Sequence, residues 1–511
     1  MKKTLIVIVL SCLLLGLFCG PAFAAYRGYS DISGHWAEDV IKEWSGLEVI
    51  NGYPDGTFRP DGSITRGEMA TILDRIFQFQ GVSENPFRDL DPNEWCADAV
   101  LKCNRRGILL GYNGLVRPYD TITREEAAAV VARSLGYYGK TTDYKTAYAD
   151  SSSISDWASQ NVAWLTEHGY ITDSPTNYRA KEAITRAETM VLLDNMIDTI
   201  WDYTGLYNED FEGNLLVRAS KFMLINSHIK GDVIIPCGAN EKIILCNCQI
   251  DGEVLNPAGA NVQVTDENGV DTVIALGQEH LVQPGARVNR LRGNDFYFDE
   301  KERMQYSGGY VAHGIDVSSW NGDIDWEKVA ADGIDFAIIR CAYRGYSAGN
   351  LMTDEMFYNY MDGAIAAGLD VGVYVYSSAI NEEEARQEAR KALSMVQGYD
   401  LAYPIFYDWE KVKDDVYGSR TEYPSPYLTD FAVAFCEEVE SNGYTAGVYS
   451  YPSLAYDNYN LAQLNDYYMW MAVYFDKPEY YYHYDMCQYT SSGSVNGIEG
   501  RVDMNLSFVE F

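Results

Sequence analysis

The sequence predicts a multidomain chain: an α-helical repeat module, a small β-solenoid-like spacer and a C-terminal irregular (β/α)8, TIM-like barrel. Three observations carry this reading. A Thr-Arg-x-Glu element occurs three times between residues 65 and 188. A glycine-containing phrase at Ser227–Val233 returns at Cys248–Val254. From Tyr310 onward, eight apolar strand-like runs alternate with connecting segments, several of them amphipathic and helical in period. At 511 residues the chain exceeds one ordinary core, and 47% hydrophobic with 22% charged residues is a globular composition.

Charge narrows the function classes. The chain has 39 basic and 74 acidic residues, net −35, a field that repels nucleic-acid phosphates and anionic membranes. Its 14% aromatic content, with 41 Tyr, suits carbohydrate contact and core packing alike. Met1-Lys2-Lys3, the apolar run Thr4 to Cys19 and Pro21-Ala22-Phe23-Ala24 predict a signal peptide over 1–24, cleaved after Ala24, hence a secreted protein without stable membrane insertion afterwards. The apolar run is shorter than the roughly 20 residues a spanning helix needs. Loss of Lys2 and Lys3 takes the charge from −35 to −37. The cysteines beyond the leader (Cys96, Cys103, Cys237, Cys246, Cys248, Cys341, Cys436, Cys487) are scattered, so neither a disulfide framework nor a metal site is expected, and no cofactor motif is present.

The repeats come first. Asp31-Ile32 with Trp36 returns as Asp89-Leu90 with Trp95 and as Asp150 with Trp157. A helical pattern follows each, then Gly52-Tyr53-Pro54-Asp55-Gly56-Thr57-Phe58-Arg59-Pro60 in the first copy and Gly111-Tyr112 to Arg117-Pro118 in the second. Each unit closes on Thr65-Arg66-Gly67-Glu68, Thr123-Arg124-Glu125-Glu126 or Thr185-Arg186-Ala187-Glu188. Thr and Glu at this spacing form a capping box. Arg in a first helical turn opposes the helix dipole, so its recurrence calls for another reason, and an anion site taking a carboxylate is the one expected.

This combination resembles the S-layer homology family, in three copies at 29–78, 86–136 and 147–198. The resemblance implies a pseudo-threefold helical prism that holds a secondary cell wall polysaccharide, often pyruvylated, and so places the protein at a bacterial cell wall. It puts Asp31, Trp36 and Arg66 in a first groove and Asp89, Trp95 and Arg124 in a second. The third copy departs: Ser174-Pro175-Thr176-Asn177-Tyr178-Arg179-Ala180 replaces the landmarks, so the groove of Arg186 is expected to be vestigial.

Residues 203–295 change character. Short β-forming runs such as Leu215-Leu216-Val217, Val233-Ile234-Ile235 and Lys242–Leu245 are separated by Gly turns at a spacing near 20, which predicts coils of a solenoid acting as a spacer. His228 and His280 stand isolated, and 296–310 is expected to be a linker.

The domain 311–511 carries the chemistry. Polar groups at the C-terminal ends of barrel strands line the mouth, and four acids are expected there: Asp316, Asp408, Glu410 and Asp503. Alternation puts Phe406, Asp408 and Glu410 on one face. Two acids so placed repel, and burial opposes ionisation, so at least one carboxyl is raised, the equipment for glycosidic cleavage.

Gly314-Ile315-Asp316-Val317-Ser318-Ser319-Trp320-Asn321-Gly322, Tyr403-Pro404-Ile405-Phe406-Tyr407-Asp408-Trp409-Glu410, Gln488-Tyr489 and Val502-Asp503-Met504-Asn505 resemble the glycoside hydrolase family 25 lysozymes in wording and order. The resemblance implies hydrolysis of the β-1,4 bond between N-acetylmuramic acid and N-acetylglucosamine in peptidoglycan. It makes Glu410 the general acid and gives Asp408 the developing positive charge, stabilised directly or by orienting the substrate's 2-acetamido group; Asp316 and Asp503 form the floor. Tyr374, Tyr376, Tyr449, Trp470 and Gln488 are expected at the sugar cleft, and Arg344 at a peptide or lactyl carboxylate. Val375, Val473 and Cys487 depart from the family's common His, Gln and Trp. The sequence therefore predicts a wall-anchored muramidase; the rival reading is an inactive wall-glycan-binding surface protein, and a third is a glycosidase for another amino-sugar polymer.

Overall fold

The computed structural model describes residues 28–511 apart from 140–147, 173–175, 237, 239, 258, 415, 475–476 and 478. The expected leader, Cys237, and Ser174 and Pro175 of the altered third-copy loop lie outside the described residues.

The N-terminal module has two helices per repeat: α1 (Glu38–Gly46) and α2 (Arg66–Phe77), α3 (Ala97–Arg105) and α4 (Arg124–Ser134), α5 (Asp156–Glu167) and α6 (Arg186–Met196). The helices α2, α4 and α6 each open on a complete capping box, Thr65 with Glu68, Thr123 with Glu126 and Thr185 with Glu188. The residues before them bridge from repeat to repeat, Thr65 to Thr121, Thr123 to Ala183 and Ser63 to Thr185, so the three copies close into a ring. Apolar faces including Ile41, Trp44, Val100, Leu165 and Leu193 meet in one core inside it.

The solenoid is built from β1 (Thr199–Trp201), β2 (Gly205–Tyr207), β3 (Leu215–Val217), β4 (Lys221–Ile225), β5 (His228–Ile229), β6 (Val233–Ile234), β7 (Lys242–Cys246), β8 (Gln249–Ile250), β9 (Val254–Leu255) and β10 (Asn261–Thr265). They stack as three parallel sheets, β1-β3-β6-β9, β2-β4-β7-β10 and β5-β8. The repeated phrase stacks in register, with His228 beside Gln249 and Val233 beside Val254. The coil begins at Thr199, earlier than the expected boundary at 203.

Alternation explains why these strands are apolar throughout. Leu215, Phe222, Leu224, Val233 and Leu245 fill the solenoid's interior. Their neighbours Leu216, Ile234 and Leu255 pack into the core of the helical ring, whereas Met223, Ile225, Ile244 and Cys246 join the core of the C-terminal domain. The segment is therefore a wedge gripped on two faces, not a free-standing spacer. Tyr170 donates to Asp232 on the ring side, and Lys477 pairs with Glu209 on the other.

The chain between wedge and barrel is likewise held. A hairpin of β11 (Thr272–Ala275) and β12 (Gln278–Leu281) leads to a strap in which Asn289 donates to the carbonyls of Tyr480 (3.1 Å) and Tyr481 (2.9 Å). The expected linker over 296–310 contains a second hairpin, β13 (Phe296–Phe298) and β14 (Met304–Tyr306), whose Phe296 and Tyr306 pack on Phe508. Arg303 ties it to Asp332. Aromatic burial and this buried ion pair convert a segment with linker composition into part of the domain.

The C-terminal strands are β15 (Ala312–Val317), β16 (Phe336–Arg344), β17 (Leu351–Thr353), β18 (Asp370–Ser377), β19 (Ile405–Trp409), β20 (Ala446–Ser450), β21 (Tyr468–Ala472), β22 (Met486–Gly493) and β23 (Val502–Ser507). Eight of them close a barrel in the order β15-β23-β22-β21-β20-β19-β18-β16, with β15 pairing β16, and β17 lies outside on β16. Helices α7 (Trp326–Ala331), α8 (Phe357–Ala366), α9 (Glu382–Met395), α10 (Leu428–Glu440) and α11 (Pro452–Asn458) separate the strands as far as β21. Beyond it the described residues contain no helix, and β23 runs antiparallel to both neighbours. Asn381 caps α9 as its sequence predicts. Phe336, Ile338, Tyr374, Phe406, Trp470 and Met486 fill the barrel's inside. Gly447 makes room for one of them, because a Cβ there would meet the Phe406 ring at 2.3 Å.

Candidate active site and wall-binding groove

The four acids do meet at one mouth, but Asp503 arrives there by an unexpected route. Asp316 lies near the C-terminal end of β15, Asp408 is the penultimate residue of the parallel strand β19, and Glu410 follows its end. Asp503 is the second residue of β23, and only the reversed direction of that strand sets it opposite Asp316 in register.

Asp316 is buried, and its Oδ2 accepts from Gln488 Nε2 (2.7 Å) and Asn505 Nδ2 (2.9 Å). Gln488 Oε1 in turn accepts from Tyr449 (3.1 Å) and Tyr474 (2.5 Å), and Asn505 Oδ1 from the Trp470 indole (2.8 Å). Burial and then the charge of Asp503 push the Asp316 carboxyl well above the ordinary range, and the Asn505 and Gln488 amides resist that shift. Asp503 is raised as well, chiefly by burial, with a hydrogen bond to Asp316 opposing it. The two thus share a site in which one proton is favoured.

Asp408 is also buried and raised, first by burial and then by the charges of Glu410 and Asp316, against the Arg340 guanidinium. Its Oδ1 makes no hydrogen bond within the protein among the described residues. Glu410, half-buried, is raised by burial and by the charge of Asp503, against the nearby Tyr376 hydroxyl. The arrangement can hold one carboxyl protonated beside an ionised partner, and it offers a buried acceptor to an incoming N–H donor.

Other expectations need correction. Trp470 (1% exposed) and Tyr374 (8%) are inside the barrel, edge-on to each other, and present no face to a sugar. Gln488 and Tyr449 orient Asp316 from within, while Tyr376 remains at the cleft beside Glu410. Arg344 does not face substrate: it is buried, and donates to Glu388 Oε1 (2.6 Å), the Gly349 carbonyl (2.9 Å) and the Glu384 carbonyl (3.0 Å). Sequence reasoning missed Asn505, Tyr474 and Arg340. Asn505 was signalled by its period-two spacing from Asp503, and Arg340 by its place ending an apolar run; Tyr474 follows β21 in irregular chain and had no signal. Arg340 donates to Asp354 Oδ2 (2.8 Å) and Ser319 Oγ (3.1 Å).

In the ring, the recurrent arginines are clamps. Arg66 donates to the carbonyls of Val116 (2.8 Å) and Leu110 (2.9 Å) and pairs with Glu126 (3.1 Å). Arg124 reaches the Tyr178 carbonyl and Glu188, and Arg186 the carbonyls of Phe58 and Asn51 with Glu68, each one repeat further round. All three are at most 5% exposed. That cross-repeat grip explains a cation placed against the helix dipole. Asp31 and Asp89 are similarly engaged, accepting the backbone N–H groups of Phe58 and Arg59, and of Val116 and Arg117.

The tryptophans differ: Trp36, Trp95 and Trp157 are 61%, 57% and 53% exposed. A groove of about 430 Å³ is lined by Arg66, Arg117, Asp120, Thr121, Thr123, Glu125, Glu126 and Trp157. It draws on all three repeats, so the expected grouping of Arg66 with Trp36 is replaced by Arg66 with Trp157. Arg117 is its exposed guanidinium, 3.7 Å from Glu126, with the backbone at φ 53° held by Asp89.

The comparisons with known proteins define the class. Residues 315–498 match the family described as glycosyl hydrolases family 25, and residues 28–70, 86–128 and 147–190 match the S-layer homology domain. The chain thus carries three S-layer homology domains followed by a family 25 glycosyl hydrolase domain.

Among relatives, the autolytic lysozyme of Clostridium acetobutylicum is 30% identical over 193 residues, covering 38% of this chain and 54% of that protein. The cellulosome-anchoring protein of Acetivibrio thermocellus is 32% identical over 162 residues, 29% of this chain and 35% of that protein. A family 25 glycosyl hydrolase from Bacillus anthracis is a structural match at 23% identity and TM-score 0.33, covering 40% of this chain and 93% of that one. The chain spans only 10% of the amylopullulanase of Thermoanaerobacterium thermosulfurigenes and 16% of the exoglucanase of Acetivibrio thermocellus that it also matches. No helix among the described residues is long and apolar enough to cross a membrane.

Proposed function

We propose that this protein is a secreted, wall-anchored N-acetylmuramidase that cleaves the β-1,4 bond between N-acetylmuramic acid and N-acetylglucosamine of peptidoglycan. The carrying observation is the convergence of Asp316, Asp408, Glu410 and Asp503 at one mouth, with Asp408 Oδ1 buried and without a hydrogen-bond partner among the described residues. Glu410, raised by burial, protonates the leaving oxygen. Asp408 accepts the N–H of the 2-acetamido group and sets its oxygen against the anomeric carbon. Asp316 and Asp503 share a proton behind them and keep the floor from accumulating two charges. The ring holds a secondary wall polysaccharide, pyruvylated or otherwise acidic, through Trp157 for stacking and Arg117 for the anionic group.

The test treats purified walls with the mature chain and with its Glu410→Gln variant. New N-acetylmuramic acid reducing ends from the first and almost none from the second are expected. New N-acetylglucosamine ends would reassign the bond, and no ends from either would make the protein a wall-glycan binder.

A further inference from the structure

Helix α9 buries a stripe of Ala385, Ala389, Ala392 and Leu393 against the barrel, and one member of that face is a glutamate: Glu388 is fully buried. Its Oε1 accepts from Arg344 Nε at 2.6 Å, and its Oε2 from Ser377 Oγ at 2.6 Å. A buried ion pair of this kind adds little stability over an apolar pair of the same volume, so its presence in an alanine stripe points to placement.

What it places is the rim around Glu410. Ser377 ends β18 directly after Tyr376, and the two stand in register with Asp408 and Trp409, the residues leading to Glu410. Ser377 Oγ also accepts the N–H of Ala379 (3.1 Å), and the Ala379 carbonyl accepts the indole of Trp409 (3.1 Å), the residue between Asp408 and Glu410. Arg344 ends β16; its carbonyl accepts Ser378 Oγ (2.6 Å), and its guanidinium holds the 345–350 loop at Gly349. The loop after β19 is fastened to the same centre, because Arg420 pairs with Glu384 of α9 (2.7 Å) and its N–H donates to Tyr346 (2.8 Å). The ends of three successive strands and two rim loops therefore converge on Glu388 and Arg344.

We propose that Glu388 is a positioning residue for Glu410: through Ser377 it fixes the strand end that presents Tyr376, and through Arg344 it fixes the loops flanking the acid. The inference rests on the reading of Glu410 as the catalytic acid. Burial, opposed by Ser377 and Arg344, lifts the Glu388 carboxyl to about 7, and Glu384 and Tyr407 are the other titratable groups beside it.

Two variants of the mature chain test this. Glu388→Gln keeps the shape and removes the charge; Ser377→Ala leaves the Arg344–Glu388 pair intact and cuts the link to the strand end together with the Ala379 contact. Both should lower kcat on purified walls on the order of 10- to 100-fold with KM held within about twofold, the behaviour of a misplaced catalytic group. The Glu410 carboxyl, followed by carbon NMR of labelled glutamate and assigned with Glu410→Gln, should titrate at higher pH in both variants as the Tyr376 hydroxyl is drawn away from it. An unmoved Glu410 titration in Ser377→Ala overturns the proposal, as does a kcat loss no larger than the loss of folded protein. The titration does not depend on turnover, so a wild-type chain that cuts no wall would sink the muramidase reading and leave this test standing.

Discussion

Replacing Arg186 by alanine should open the ring of helices. Its Nε and Nη2 donate to the carbonyls of Phe58 (2.9 Å) and Asn51 (2.8 Å), its Nη1 lies 3.4 Å from Glu68, and it sits over the ring of Phe58. Hydrogen bonds from a charged donor contribute about 1.5–3 kcal/mol each, and stripping one partner from a buried pair costs about 3–5 kcal/mol. Glu68 keeps its capping contact to Thr65 (2.8 Å) and its side chain is 22% exposed, so the ionic share falls at the low end. We expect a loss of about 4 kcal/mol, a large part of the roughly 5–15 kcal/mol that holds a domain together. Arg66→Ala and Arg124→Ala should cost the same within about 1 kcal/mol, and pairs of them less than the sum, because a ring opens once. Denaturant unfolding of the mature chain, with hydrogen exchange read in α2 and α6, measures this. A loss under about 1 kcal/mol together with abolished wall binding would refute the reasoning and return Arg186 to the role of a ligand-facing cation.

Two further outcomes follow from the sites. Asp408→Asn should abolish wall hydrolysis yet raise the melting temperature at pH 8. A carboxyl raised by burial is stabilised by its proton at low pH and loses that stability as pH climbs through its folded value; the amide does not, so the advantage should vanish below the ordinary value of 3.8. A variant less stable than the parent at pH 8 would mean Asp408 is favourably paired. Trp157→Ala, at a half-exposed position, should leave stability within about 0.5 kcal/mol while reducing retention on walls that keep their secondary polysaccharide; unchanged retention would count against the groove.

What was legible in the residues was mostly local. The capping boxes, the stacked phrase at His228 and Gln249, and the shared face of Phe406 and Asp408 follow from spacings of two, three or twenty-one residues along one stretch of chain. Strand direction is not local: nothing in Val502-Asp503-Met504-Asn505 says that it runs against its neighbours, and so Asp503 was expected at a strand's end. The arginine clamps were misread because their partners lie in the next repeat round the ring, 50 residues along the chain for Arg66 and Val116 and 128 for Arg186 and Phe58. Arg344 looked like a substrate contact because a cation at a strand end is ambiguous until its counter-ion on α9 is placed. Doubly apolar runs such as Leu215-Leu216-Val217 announce burial on both faces but cannot name what covers each.

The wedge with both faces covered has a mechanical consequence. A ring and a barrel joined by packed cores do not swivel independently, so if the groove seats on a wall polymer as proposed, the barrel mouth points along one bearing. In the proposed muramidase, the slack to reach the next glycan would then come from the polymer and not from a hinge in the chain.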